Sequence, residues 1–148
     1  MRPQTKFLVI VSLMILFLGG AYYAYSAQKH EPPPVIAATI RRDCAPWDGS
    51  AFTVSILLEE GAIDISIYQA PDINLPVRFL FPDQTGETGN ALLLSSAGVP
   101  EELNGNVSFQ SVVQDSAVEG VFDLHTIAGR QFKGSFVAEW KHQPVLCG

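Results

Sequence analysis

The sequence lacks any recognisable catalytic, metal-binding or cofactor-binding motif. Its 148 residues include only two cysteines and three histidines, and no two histidines have the spacing of metal ligands. There is no G-x-S-x-G turn around a serine and no glycine-rich loop that leads into a helix. We therefore predict that the protein is not an enzyme, that it holds no metal or cofactor, and that it has no catalytic residue.

Basic residues are also scarce. From residue 35 onward there are six Lys and Arg against fourteen Asp and Glu, a formal charge of −8. The one adjacent basic pair, Arg41 and Arg42, stands next to Asp43. Nucleic-acid binding relies on clustered cations that contact the phosphate backbone. The composition therefore argues against nucleic acid as a partner.

The N-terminus contains a long run without charge. Arg2, Lys6 and the free amine precede it, and residues 7–25 are nineteen uncharged residues. As a helix this run would rise about 28 Å, close to the hydrocarbon thickness of a bilayer. Basic flanks stay in the cytoplasm. The sequence thus predicts a cytoplasmic n-region at residues 1–6, a transmembrane signal-anchor helix at 7–26, and a single-pass cell-membrane protein whose C-terminal domain is periplasmic or extracellular.

The same stretch has an alternative interpretation as a cleaved signal peptide, with small residues at Ala24 and Ser26 before Ala27. Three tyrosines near the end of the run favour an anchor, because tyrosine concentrates at membrane interfaces. Either interpretation exports the rest of the chain. Residues 27–34 end in three consecutive prolines, which predicts an extended linker ahead of a domain at residues 35–148.

The two cysteines lie at opposite ends of the predicted domain. Cys44 is near its start and Cys147 is one residue from its end. They do not form a C-x-x-C arrangement, and cysteines of an exported domain usually pair. We predict a Cys44–Cys147 disulfide that brings the ends of the domain together.

Apolar residues alternate with polar ones through most of the region between the cysteines. Residues 52–58 and 63–67 are typical of a hairpin, and pairing Leu58 with Ile63 places their apolar side chains on one face. Strands at residues 107–113, 118–124 and 132–140 should form a meander, in which the predicted pairs are Val113–Val118, Phe122–Gly134 and Asp123–Lys133.

Shorter strands are predicted at residues 35–40, 77–81 and 91–95, which raises the count to seven or eight. No long amphipathic helical stretch is present, and a single helical turn is expected near residues 99–103. The predicted fold class is all-β: an antiparallel β-sandwich or a small barrel, preceded by one N-terminal transmembrane helix.

Two groups of polar residues could superficially form sites. Asp123, His125, Ser135 and Glu139 share the outer face of neighbouring strands and resemble the parts of a nucleophilic site, but no oxyanion hole accompanies them. The loop at residues 83–90 offers oxygens at alternate positions for a weak calcium ion, although it lacks further acidic ligands. We interpret the first group as a solvated face and the second as a hydrated loop.

Large aromatic side chains on the inward positions could line a ligand cavity or fill a core. We favour the core, because a small β-domain needs inward aromatic residues for packing. The residues concerned are Phe52, Phe109, Phe122, Phe132, Phe136 and Trp140.

The predicted function is that of a membrane-anchored binding or interaction module of the cell envelope. Its partners would be the membrane, through the N-terminal helix, and an envelope protein. The alternatives are a small envelope inhibitor or enzyme accessory protein, and a barrel that binds a lipid or another apolar ligand. Because loops carry specificity on a β-scaffold, residues 72–76, 83–90 and 97–104 are the candidate contact surfaces.

Overall fold

The computed structural model describes residues 34–95 and 98–147. Within them the chain forms ten β-strands and no helix. The strands are β1 (Ala37–Cys44), β2 (Ser50–Leu58), β3 (Gly61–Ile67), β4 (Asp72–Ile73), β5 (Val77–Phe81), β6 (Gly89–Ser95), β7 (Glu101–Phe109), β8 (Val112–Val113), β9 (Val118–Thr126) and β10 (Gln131–Lys141).

The predicted membrane segment is not part of this description. The n-region at 1–6, the helix at 7–26 and nearly all of the linker at 27–34 lie outside the described residues, so they stay predictions. Among residues 34–95 and 98–147, no helix is long and apolar enough to span a bilayer.

Seven strands close into a barrel. Their order is β7, β6, β3, β2, β1, β10, β9 and back to β7. Neighbouring strands are antiparallel except β1 and β10, which run parallel with Ala38 beside Ala138. β5 adds to β7, and β4 pairs with β8 in a separate two-stranded sheet. The all-β prediction is confirmed, and of the two predicted architectures the domain adopts the barrel.

Aromatic side chains fill the barrel interior. The five phenylalanines predicted to face inward are at most 4% exposed. The ring of Phe109 makes edge-to-face contacts with Phe52, Phe79 and Phe136, with centroids 5.8 to 6.0 Å apart. Barrels of about eight strands are just wide enough for side chains to fill, so seven strands suit a packed interior. These contacts support the prediction of a core.

Two glycines make room for two of these rings. Phe136 lies opposite Gly120, and Phe122 lies opposite Gly134, as the sequence predicted for the second pair. A Cβ atom at position 120 would lie 2.4 Å from Cζ of Phe136. Each ring therefore covers the backbone of a glycine on the neighbouring strand. The absence of a side chain at these two positions leaves room for both rings inside a narrow barrel.

The predicted hairpin register is wrong by two residues. Leu58 pairs with Gly61 and Ile56 pairs with Ile63, because the chain reverses over two residues instead of four. Gly61 has a φ of +152°, and a Cβ atom there would lie 2.3 Å from the carbonyl oxygen of Leu94. A glycine at this position thus permits both the tight turn and the close approach of β6.

The register between β7 and β9 is also displaced by two residues. The structure pairs Val107 with Phe122, whereas the prediction of Val113 opposite Val118 would set Val107 against Leu124. Val113 instead belongs to β8 and pairs with Asp72 of β4. This excursion lengthens the connection between β7 and β9.

The shorter predicted elements had mixed outcomes. The strand at residues 77–81 is confirmed with the same bounds, and those predicted at 35–40 and 91–95 correspond to β1 and β6 with shifted ends. The helical turn near residues 99–103 is wrong, because β7 begins at Glu101 and pairs there with Leu93 of β6.

The predicted disulfide between Cys44 and Cys147 is confirmed. The Cα atoms of the two cysteines are 5.6 Å apart. Since β1 and β10 are parallel neighbours, both strands end at the same end of the barrel, and only a short tail separates Lys141 from Cys147. The ends of the domain are thus adjacent, as the sequence predicted.

Candidate functional site

The polar residues that resembled a nucleophilic site do not form one hydrogen-bonded group. Ser135 lies opposite Val121 and Glu139 lies opposite Thr39. Among the described residues, no hydrogen bond connects Ser135 with His125. Asp123 instead accepts hydrogen bonds from Lys133 at 2.9 Å and from Gln131 at 3.0 Å. The predicted Asp123–Lys133 pair is confirmed, and it lies on the outer surface of the sheet.

We expect a low pKa for the Asp123 carboxyl group. The hydrogen bond from Gln131 and then the Lys133 ammonium group lower this pKa by favouring the charged form. A carboxyl group whose pKa is lowered on folding stabilises the domain above its unfolded-state pKa. That stabilisation is lost as the pH falls through the folded-state pKa. Because the pair is partly exposed, we expect it to contribute only a few tenths of a kcal/mol.

An NMR titration of the carboxyl carbons would test this expectation. Lys133→Met should raise the pKa of Asp123 toward its ordinary value. Lys141→Met is the control: it removes a cation from the same strand that lies within 4.0 Å of no carboxylate among the described residues. An Asp123 pKa that is the same in the wild type and in Lys133→Met would contradict the assigned cause.

The loop at residues 83–90 is held by hydrogen bonds among its own residues. The carboxylate of Asp83 accepts hydrogen bonds from the backbone N–H of Gly86, the backbone N–H of Thr88 at 2.8 Å and the hydroxyl of Thr85 at 3.1 Å. Hydrogen bonding, first of all with Thr88, lowers the pKa of Asp83. Within the described residues, no group of three or more His, Cys, Asp and Glu could hold a metal ion. We therefore assign the Asp83 carboxylate to turn formation.

The other two predicted contact loops also contain regular structure. Residues 72–76 include β4, and residues 97–104 include the first part of β7. Position 97 lies outside the described residues. These loops are thus partly built into sheets.

No family model, curated protein or solved structure matches this chain. The geometry of the described residues is therefore the guide to its functional surface. Three features stand out on the outside of the barrel: a polar network on β1, β2 and β3, and two open grooves.

The polar network connects residues on the outer face of three strands. Arg41 donates a hydrogen bond to Ser55 at 2.9 Å and lies 3.5 Å from the carboxylate of Asp64. The fully buried hydroxyl of Thr53 donates to Asp43 at 2.8 Å. The polar groups of this network interact with one another, so we infer that the network stabilises the pairing of β1, β2 and β3.

The larger groove, here called the lateral groove, has a volume of about 540 Å³. Three apolar residues on it are more than half exposed: Ile36 at 57%, Val121 at 53% and Val137 at 58%. It runs between the segment that enters β1 and the outer faces of β7, β9 and β10. Its lining is Val35, Ile36, Ala37, Ala38, Ser108, Gln110, Glu119, Gly120, Val121, Ser135, Phe136 and Val137.

A second groove, here called the end groove, lies where β10 ends and has a volume of about 330 Å³. The indole N–H of Trp140 donates a hydrogen bond to the carbonyl oxygen of Val113 at 3.0 Å, which fixes one side of it. The groove is lined by Arg42, Gln114, Asp115, Trp140, Lys141, His142, Gln143, Pro144 and Val145.

Neither groove was predicted from the sequence. For the lateral groove a signal was present: Val121 and Val137 occupy outward positions of strands on which the other outward residues are polar, such as Asp123 and Lys133. For the end groove, no local sequence pattern indicates the site. Arg42 and Lys141 are far apart in the sequence, and they line the same groove only because β1 and β10 are adjacent.

Proposed function

We propose that this chain is a membrane-tethered binding module of the cell envelope and that it holds a protein partner in the lateral groove. The observation that carries the proposal is the set of exposed apolar side chains on this groove. Ile36, Val121 and Val137 are each more than half exposed around an open concave surface. Apolar side chains grouped at a concavity are typical of an interaction site.

The filled interior supports an external binding surface. The buried ring of Phe109 packs edge-to-face against the rings of Phe52 and Phe136. A lipid or other apolar ligand in that space would have to displace these contacts. The outer surface is therefore the better candidate for recognition.

The strands beside the groove indicate how a partner would bind. β9 pairs with β7 on one edge and with β10 on the other, and β10 pairs with β9 and β1. Their backbone hydrogen-bonding groups are already used in the barrel, so a partner would not bind by adding a strand here. It would bind through the apolar side chains, with Ser108, Gln110 and Glu119 available for polar contacts at the rim.

The proposed location rests on the sequence and on the disulfide. The uncharged run at residues 7–25 has the length of a membrane span. A structural disulfide between Cys44 and Cys147 is what an oxidising compartment favours. Both observations support a domain outside the cytoplasm.

Site-specific photocrosslinking of the full-length protein in its native membrane would test the proposal. Crosslinkers at positions 121 and 137 should capture the same protein. A crosslinker at Leu80, which is 57% exposed on β5 and outside the groove, is the matched control and should not capture it. Val137→Lys, combined with the crosslinker at position 121, should abolish capture because it places a charge in the apolar surface.

The result also distinguishes the proposed module from its alternatives. If the captured protein is an enzyme whose activity changes on binding, the module acts as an inhibitor or accessory. Equal capture at positions 80 and 121, or capture that survives Val137→Lys, would overturn the lateral groove as the binding surface.

A further inference from the structure

The end groove concentrates positive charge on an acidic domain. Arg42, Lys141 and His142 line it, and Asp115 is the one acidic residue among its described lining residues. Residues 35–148 carry a formal charge of −8. The groove thus differs in charge from the domain as a whole, and this difference favours an anionic ligand there.

Arg42 and Lys141, the two permanent cations of this groove, form no ion pair within the part of the chain that the structure describes. Among the described residues, no carboxylate lies within 4.0 Å of the charged groups of Arg42 or Lys141. Asp115 lies nearer to His142, at 3.5 Å from its Nδ1 atom. A ligand could therefore bind Arg42 and Lys141 without displacing any carboxylate of residues 34–95 and 98–147.

The ends of β1 and β10 supply these residues. The two strands run parallel with Arg41 beside Lys141, and Arg42 and His142 follow next in the two segments. The indole of Trp140, fixed by its hydrogen bond to Val113, forms one side of the groove. Gln114 and Gln143 add amide groups from two different segments. Residues that carry donor groups thus come to the groove from β1, from β10, from the connection between β8 and β9, and from the tail after β10.

The tail that follows β10 forms part of the groove wall. Pro144 and Val145 belong to this tail, which makes no strand pairing after Lys141. Cys147 attaches it to Cys44 at the end of β1. The disulfide therefore holds one wall of the groove against the strand that carries Arg42.

We propose that the end groove binds a phosphate group. The guanidinium of Arg42 can donate paired N–H bonds to two phosphate oxygens, and Lys141 supplies a second positive charge. A phosphate fits better than a carboxylate, because donors on several sides can each meet a separate oxygen of a tetrahedral group. None of the residues that line the end groove also lines the lateral groove, so phosphate binding would be separate from the proposed function.

Titration of the full-length protein with inorganic phosphate would test the inference. The protein is kept in a neutral detergent, at constant ionic strength because salt screens exposed charges. The chain has two tryptophans, and their indole N–H resonances report separately. Trp140 lines the groove, whereas Trp47 packs against Tyr68 with ring centroids 5.4 Å apart. We expect a saturable shift of the Trp140 resonance and no shift of the Trp47 resonance.

Two variants that each remove one positive charge distinguish an effect of the groove from an effect of the domain's net charge. Arg42→Gln should weaken phosphate binding at least about tenfold, since it removes a charge-assisted hydrogen bond. Arg78→Gln removes the same charge from β5, outside the groove and with no described carboxylate within 4.0 Å, and should leave binding unchanged. The absence of a saturable Trp140 shift would overturn the inference, as would equal weakening in both variants.

A second probe identifies the source of the phosphate group. Glycerophosphoglycerol is a water-soluble phosphodiester headgroup. If it binds as well as inorganic phosphate does, the groove accepts phosphodiesters such as lipid headgroups. If inorganic phosphate alone binds, the groove takes a free phosphate or a monoester. Failure to capture a protein at positions 121 and 137 would not affect this titration, so the two proposals can fail separately.

Discussion

Phe109→Ala is expected to destabilise the domain by about 3 to 5 kcal/mol, the range for truncating a large aromatic side chain in a core. Phe109 is 1% exposed, and its ring contacts those of Phe52, Phe79 and Phe136. Removing it leaves a cavity that these three rings cannot easily fill, since each belongs to a different strand and is held by that strand's pairing. Both the lost burial and the cavity contribute to the effect.

Urea unfolding followed by tryptophan fluorescence would measure this effect. Leu80→Ala is the control: it also truncates an apolar side chain in the sheet, but at a position 57% exposed, and should change the free energy of unfolding by less than about 0.5 kcal/mol. If Phe109→Ala cost no more than Leu80→Ala, the interior would not be packed around Phe109. The possibility of an apolar-ligand site inside the barrel would then return.

The class of fold followed from local sequence. Residues in β2, β3, β9 and β10 largely alternate between apolar and polar, and the structure buries the inward-facing apolar residues on each of them. The pairs Phe122–Gly134 and Asp123–Lys133 were predicted correctly because the turn between β9 and β10 is short and contains Gly129. Where a turn fixes its own length, pattern and turn together determine the register.

The two wrong registers share one physical cause. A slip of one residue would turn apolar side chains outward, whereas a slip of two keeps every side chain on its face. The alternating pattern therefore could not distinguish Leu58 opposite Ile63 from Leu58 opposite Gly61. The close approach of β6 to Gly61, and the pairing of Val113 with β4, are long-range features. They decide between registers that the local pattern treats as equal.

Barrel closure and both grooves also depend on long-range pairing. The barrel closes through β1 with β10 and through β7 with β9. No local pattern in the sequence indicates that β1 runs parallel to the last strand. Because residues next to or within β1 and β10 line both grooves, the full lining of each candidate site follows only from the fold.

Removing the disulfide is expected to have the other large effect on stability. Cys44 and Cys147 are 103 residues apart, and the chain-entropy model gives about 4 to 5 kcal/mol for a loop of that length, less any residual structure in the unfolded chain. The double variant Cys44→Ala, Cys147→Ala should lower the free energy of unfolding accordingly. Reduced and alkylated wild-type protein should behave in the same way, which controls for the substitutions. An unchanged urea midpoint in both would contradict the entropic role of the bond.

The same variant tests whether the barrel and the wall of the end groove depend on the disulfide to different degrees. The pairing of β1 with β2 and β10 involves backbone hydrogen bonds that do not depend on Cys147, so far-UV circular dichroism should still show a β-protein. The tail after Lys141 has no such pairing and should lose its fixed position. We therefore expect weaker phosphate binding in a domain that remains folded. Binding unchanged from wild type would mean that Arg42 and Lys141 act without the tail, and would restrict the site to the two strand ends.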